Sequence, residues 1–173
     1  MNLRTPPLQV DDPVAGLTLD AYLPYRLSVA SNAVSRLIAR AYEDRFGLTI
    51  PQWRLMCVLA EGGASSPAAI VGRTGMDKVT LSRAAHGLLQ RRLVERADNH
   101  ADARSHLLAL STEGRALYVE IAPLALAYEA ALIAGLAPDE VAMMKRLLLR
   151  LQSAAAALAG ENPTAEAPRR REA

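Results

Sequence analysis

Lys78, Thr80, Ser82, Arg83 and His86 crowd five hydrogen-bonding side chains into one short stretch, with Val79 among them. Leu81, Ala85 and Leu88 recur through the same stretch at i, i+4 and i+7. That spacing predicts a helix from Asp77 to Arg92 with one buried stripe, and with Lys78, Ser82, Arg83, His86 and Gln90 on the other side. The chemistry suits the edges of base pairs. Arg83 can pair bidentately with guanine, while a valine can touch a thymine methyl. Charged residues opposite an apolar stripe are also what any solvated helix presents, so the neighbouring elements decide.

Ser66-Pro67 opens a short helix, with Ser as N-cap and Pro at the first helical position, and it stops near Gly75. Two helices joined by a tight Thr74-Gly75 turn form a helix-turn-helix pattern. Immediately after it, Leu93–Arg96 and Ser105–Leu110 read as short strands around a polar tip, residues 97–104. A hairpin in that place is a wing. Arg104 at its tip could enter a minor groove, where narrow A·T stretches concentrate negative potential. Arg96 and His100 are candidate phosphate contacts. Ser65, Ser66 and Arg73 flank the first helix of the turn motif, where backbone contacts are expected. From Arg73 to His106 there are seven Lys or Arg against four acids, whereas the whole chain is only +2. Local charge therefore favours an anionic partner more than net charge does.

The flanks must hold this segment in place. Residues 1–18, with Pro6, Pro7 and Pro13, read as an extended arm. A long helix is expected from Leu19 to Phe46, ended by Gly47. Thr49 and Gln52 form a capping-box pattern for a helix over 50–61. Ser111 caps a helix to about Gly135 that contains Pro123, where a kink or break is expected. Pro138-Asp139-Glu140 opens a last helix to about Leu158. The fold class is therefore mainly α with a small β-hairpin wing. The expected organisation is an arm (1–18), dimerisation helices (19–48 and 111–158), a winged helix-turn-helix domain (49–110) and a disordered tail (159–173).

Other classes fit poorly. The histidines lie in the turn motif and wing, far in sequence from the single cysteine, and no phosphate-cradling glycine loop appears, so an enzyme is not expected. No metal spacing stands out; His100, Asp102 and His106 are the nearest to one. No cofactor is expected. Cys57 sits in the apolar run Leu55–Leu59 and reads as a buried small hydrophobe. No signal pattern and no stretch of about 18 apolar residues occurs, so a cytoplasmic protein without a membrane partner is expected.

Several segments resemble the MarR family of winged-helix regulators. Phe46–Arg54 resembles the opening of its second helix, Met76–Arg83 the start of its recognition helix, and Leu88–Arg96 that helix's end with the first wing strand. Asp102-Ala103-Arg104 matches the family's Asp-x-Arg wing motif, and Leu110–Gly114 looks like the start of its fifth helix. The resemblance covers about residues 19–155. It implies a homodimer assembled through the terminal helices, and a repressor or activator whose affinity for double-stranded DNA often responds to a small ligand. It also implies that Asp102 holds the wing loop or orients Arg104. Val79 departs from the family, which often has Ser there. Leu23-Pro24-Tyr25-Arg26 stands where redox-sensing relatives carry a cysteine.

The resemblance places an effector pocket between the dimer helices and the winged domain. Tyr25, Ser28, Asn32, Arg36, Trp53 and Arg54 are the candidates to line it. An Arg beside a Trp suits an aromatic acid or an acyl-CoA thioester, whereas a core Trp with acid-paired arginines is the competing reading. The expected function is a repressor that binds a pseudo-palindromic operator as a homodimer and is released by such a ligand. A helical adaptor without DNA binding, or a redox sensor on the same fold, remain the alternatives.

Overall fold

The computed structural model describes residues 16–99 and 106–160. Residues up to Tyr128 form one unit and those from Glu129 a second. The elements are α1 (Leu23–Ala39), α2 (Glu43–Phe46), α3 (Ile50–Gly62), α4 (Pro67–Thr74), α5 (Lys78–Gln90), β1 (Val94–Asp98), β2 (His106–Leu110), α6 (Thr112–Ile133) and α7 (Pro138–Gly160).

The helix expected over 19–46 is not continuous. α1 ends at Ala39, and Tyr42 leaves helical geometry before the single turn of α2. Ala39, Ala41 and Tyr42 are all buried. Gly47 then takes a left-handed φ of 62° and closes α2.

From Ile50 onward local capping decides the boundaries. The Thr49–Gln52 capping box forms in both directions. The Ser66 hydroxyl accepts from the Ala69 N–H. α3, α4 and α5 pack around Leu55, Met56, Leu59, Ile70 and Leu88, all fully buried. Gly87 lets α5 lie close to α3: a Cβ there would meet Gln52 Nε2 at 2.5 Å, and that side chain is already fixed in the capping box.

β1 and β2 pair antiparallel, from Val94 opposite Leu110 to Asp98 opposite His106. Ala97 and Asp98, read from sequence as part of the tip, extend the strand because their backbones pair with Leu107 and His106. On its other side β2 is bridged by Ser65, whose N–H and C=O both bond Leu108 at 2.9 Å. The wing is thereby tied to the loop that starts the turn motif.

α6 begins at Ser111, a buried polar residue that ties the helix start to the end of α5. Its hydroxyl donates to the Arg92 carbonyl (2.6 Å) and accepts from the Gly114 N–H (2.9 Å), and its own N–H bonds Leu93 (3.2 Å). The helix is not interrupted at Pro123, contrary to a break there. By length and composition it could cross a membrane. It nevertheless buries Ile121 in the core, and Glu120 pairs with Arg45 at 2.8 Å.

In the second unit, Glu140 accepts from the Ala137 N–H at the start of α7. No residue of α7 is buried, although Met143, Met144, Leu147 and Leu148 are apolar. α7 reaches Gly160, two residues beyond the expected Leu158; the rest of the tail lies outside the described residues.

Candidate nucleic-acid interface

The turn between α4 and α5 is built by four consecutive residues. The Thr74 hydroxyl donates to the Ile70 carbonyl (2.7 Å) and accepts from the Met76 N–H (3.3 Å). Gly75 adopts φ 67°, the left-handed region where a side chain is disfavoured. Met76 is buried and Asp77 caps α5. The Asp77 carboxylate accepts from both the hydroxyl (2.6 Å) and the N–H (2.8 Å) of Thr80. Those bonds, the hydroxyl's foremost, hold its carboxyl below the usual range.

α5 buries Leu81, Ala84, Ala85 and Leu88. Ser82, Arg83, His86 and Gln90 face solvent on the other side, as the periodicity predicts; Val79 joins them, and Lys78 lies on the flank. Thr80 is half-buried and its hydroxyl serves the cap. Among the described residues, neither Lys78 nor Arg83 nor Arg96 has a carboxylate within ion-pair distance. Their charges are solvated, which leaves them free to meet phosphate.

Not all the local basic charge is of that kind. Arg73 pairs with Glu61 on α3. Arg91 donates to the Phe46 and Gly47 carbonyls at 2.8 and 3.0 Å, closing the C-terminus of α2. Ser66 is a helix cap, and the Ser65 hydroxyl donates to the Gly63 carbonyl. His100, Asp102 and Arg104 lie outside the described residues.

Of the six candidate pocket residues, Trp53 is only 8% exposed. Tyr42 and Tyr118 stack with it, centroids 5.3 and 5.5 Å away. The core reading thus fits Trp53, since its ring is taken up by protein. Tyr25, Ser28, Asn32 and Arg36 are exposed along α1, while Arg54 reaches the Ser35 hydroxyl at 3.4 Å. Sequence reasoning missed Tyr42 and Tyr118 as partners of Trp53, because their positions give no periodic signal linking them.

A hairpin wing after a helix-turn-helix, with a further helix on either flank, is a specific order. Residues 46–105 match the MarR family. The winged segment is thus similar to that of the MarR family. A solved structure of BpsR from Bordetella bronchiseptica, whose DNA binding is regulated by 6-hydroxynicotinic acid, is 26% identical, with a TM-score of 0.72 over 79% of this chain and 97% of that one. A probable transcriptional regulator from Pseudomonas aeruginosa is 28% identical, with a TM-score of 0.69 over 78% and 99%. PcaV from Streptomyces coelicolor, solved with its natural ligand, shares the fold at 22% identity and a TM-score of 0.72 over 82% and 99%. No curated protein matches the sequence significantly. The fold is thus one that transcriptional regulators share.

Proposed function

We propose that this chain is a MarR-family regulator that binds a pseudo-palindromic operator as a homodimer and represses from it, until a small ligand such as an aromatic acid or an acyl-CoA releases it. The observation that carries the reading is the solvent-facing side of α5. It combines Ser82 and His86 with Lys78 and Arg83, cations without an ion pair among the described residues, directly beside the β1–β2 wing. A helix presented in this way fits the major groove, its first turns meeting base edges, and the wing fits alongside. Lys78, Val79, Thr80, Ser82, Arg83 and His86 are assigned to the bases. Arg96 and His100 are assigned to the backbone, and Arg104, with Asp102 holding the wing loop or orienting it, to the minor groove; Ser65, Ser66 and Arg73 reach the backbone only by giving up their bonds to Gly63, Ala69 and Glu61.

Dimerisation through residues 19–48 and 111–158 is supported by where apolar surface remains uncovered. Leu23, Val29 and Val34 on α1, Val119 and Leu126 on α6, and Leu147 and Leu149 on α7 are exposed in the single chain. Apolar surface of that extent favours burial against a second copy. Two copies set two recognition helices about one DNA turn apart. An effector at the α1–α3 face, near Arg36 and Arg54, is proposed by analogy with BpsR. A cytoplasmic location follows from the proposed partner.

Selection from random duplex DNA at two salt concentrations tests the reading. An enriched palindrome whose affinity falls steeply with salt supports it. No enrichment, or enrichment undiminished in an Arg83→Ala/Arg104→Ala variant, overturns the assigned reading face.

A further inference from the structure

Val79 is 60% exposed, and it is the one large hydrophobic side chain so exposed among the described residues of the winged segment, 49–110. The other exposed large hydrophobics lie on α1 and the turn before it, or from α6 onward. A helix advances about 100° per residue. On that wheel Val79, Arg83, His86 and Gln90 fall within about 40° of one line, with the buried Leu81, Ala84, Ala85 and Leu88 centred on the opposite side. Val79 therefore stands in the middle of the outward face, in the first turn, which reaches deepest toward base edges. Its side chain has no hydrogen-bonding group, so the polar edges of guanine, adenine and cytosine offer it nothing. The single apolar group in the major groove is the C5-methyl of thymine.

We infer that Val79 makes this protein a reader of a 5-methylpyrimidine, and that each half-site of its operator holds one within reach of the guanine read by Arg83. The inference rests on the proposed DNA-binding function and gives that operator a defined chemical feature. Four residues of helix rise about 6 Å, so the two bases lie roughly one or two base-pair steps apart. The contact is with the methyl alone. It follows that 5-methylcytosine substitutes for thymine in this respect and that uracil does not.

The test uses the full chain and its selected operator. Each thymine of a half-site is replaced singly by deoxyuridine, which deletes only the methyl, and affinity is measured at fixed salt. One position per half-site is expected to lose about fourfold, the worth of one buried methyl. The loss disappears in Val79→Ala, whose salt dependence stays that of the wild type because no phosphate contact is removed. Cytosine at that position is expected to gain a similar factor on 5-methylation. Uracil that is neutral everywhere, a penalty that persists in Val79→Ala, or methylation of cytosine without gain overturns the inference and leaves DNA binding intact. Failure to select any operator overturns both.

Discussion

A Cβ on Gly114 would sit 1.8 Å from the carbonyl oxygen of Leu93, closer than any two such atoms approach. The first turn of α6 thus lies against the backbone where α5 ends and β1 begins. Ser111 completes the junction by bonding Arg92, Leu93 and Gly114. α5, which bears the proposed reading face, and the helix that runs out of the winged segment are joined through backbone atoms, with little room for adjustment.

Gly114→Ala is therefore expected to destabilise by at least about 1–3 kcal/mol, since backbone cannot step aside as a side chain can. Ser111→Ala is expected to cost about 1–2 kcal/mol through the lost cap and the unpaired Arg92 carbonyl. Urea denaturation of both variants checks this, and an unchanged midpoint for Gly114→Ala would refute the close approach.

Arg92 holds a φ of 56°, left-handed for a residue with a side chain. Its N–H bonds Leu89 and the Leu93 N–H bonds Leu88, a Schellman ending for α5. Arg92→Gly should stabilise by about 1 kcal/mol by removing the left-handed cost. Arg92→Val should do the reverse. Thermal melts of the pair measure the sign.

Burial, with Glu61 adding, pushes the Cys57 thiol up to about 11 from 9.0. The protonated form is the one the fold favours, so this group's contribution is complete below about pH 9 and is lost as pH rises through 11. Alkylation of the native protein should be slow at neutral pH and accelerate toward pH 11, while the urea-unfolded chain reacts readily. Hydrogen peroxide should leave operator affinity unchanged. Rapid neutral-pH labelling of the folded protein would return weight to a redox role.

Lys78→Ala and Arg83→Ala should separate two kinds of contact. Neither residue has an ion pair among the described residues, so melting temperatures should hold. Arg83→Ala should lose about 1–3 kcal/mol of discrimination at one guanine. Lys78→Ala should weaken all sequences alike and reduce the salt slope by about one. Competition binding against single-base operator variants distinguishes the two patterns.

The parts legible in sequence were those governed by local bonds. Thr49, Ser66, Asp77 and Ser111 each cap the helix that follows within three residues, and the Leu81–Leu88 stripe is one helix's own periodicity. The break at Tyr42 was not legible, because the ring that Tyr42 stacks on, Trp53, lies eleven residues on and meets it only through folding. Gly87 and Gly114 gave a faint signal as glycines inside helical patterns, which cost stability unless something packs against them. What packs there, Gln52 and the Leu93 carbonyl, only tertiary structure supplies. Of the reading face, the orientation of Val79, Ser82, Arg83 and His86 follows from helical spacing. That Arg73 and Arg91 are engaged elsewhere does not, since Glu61 and the α2 carbonyls meet them only through folding.

Trp53 is the chain's single tryptophan, and it lies between a tyrosine from the α1–α2 turn and one from α6. Its fluorescence consequently comes from one place, the junction of three elements, with no other indole to blur it. A shift of α6 against α3 by even a fraction of a ring width alters the overlap and hence the emission. The protein thus carries an intrinsic optical gauge, with which the proposed effector binding and dimer assembly can be tested on unlabelled wild-type material.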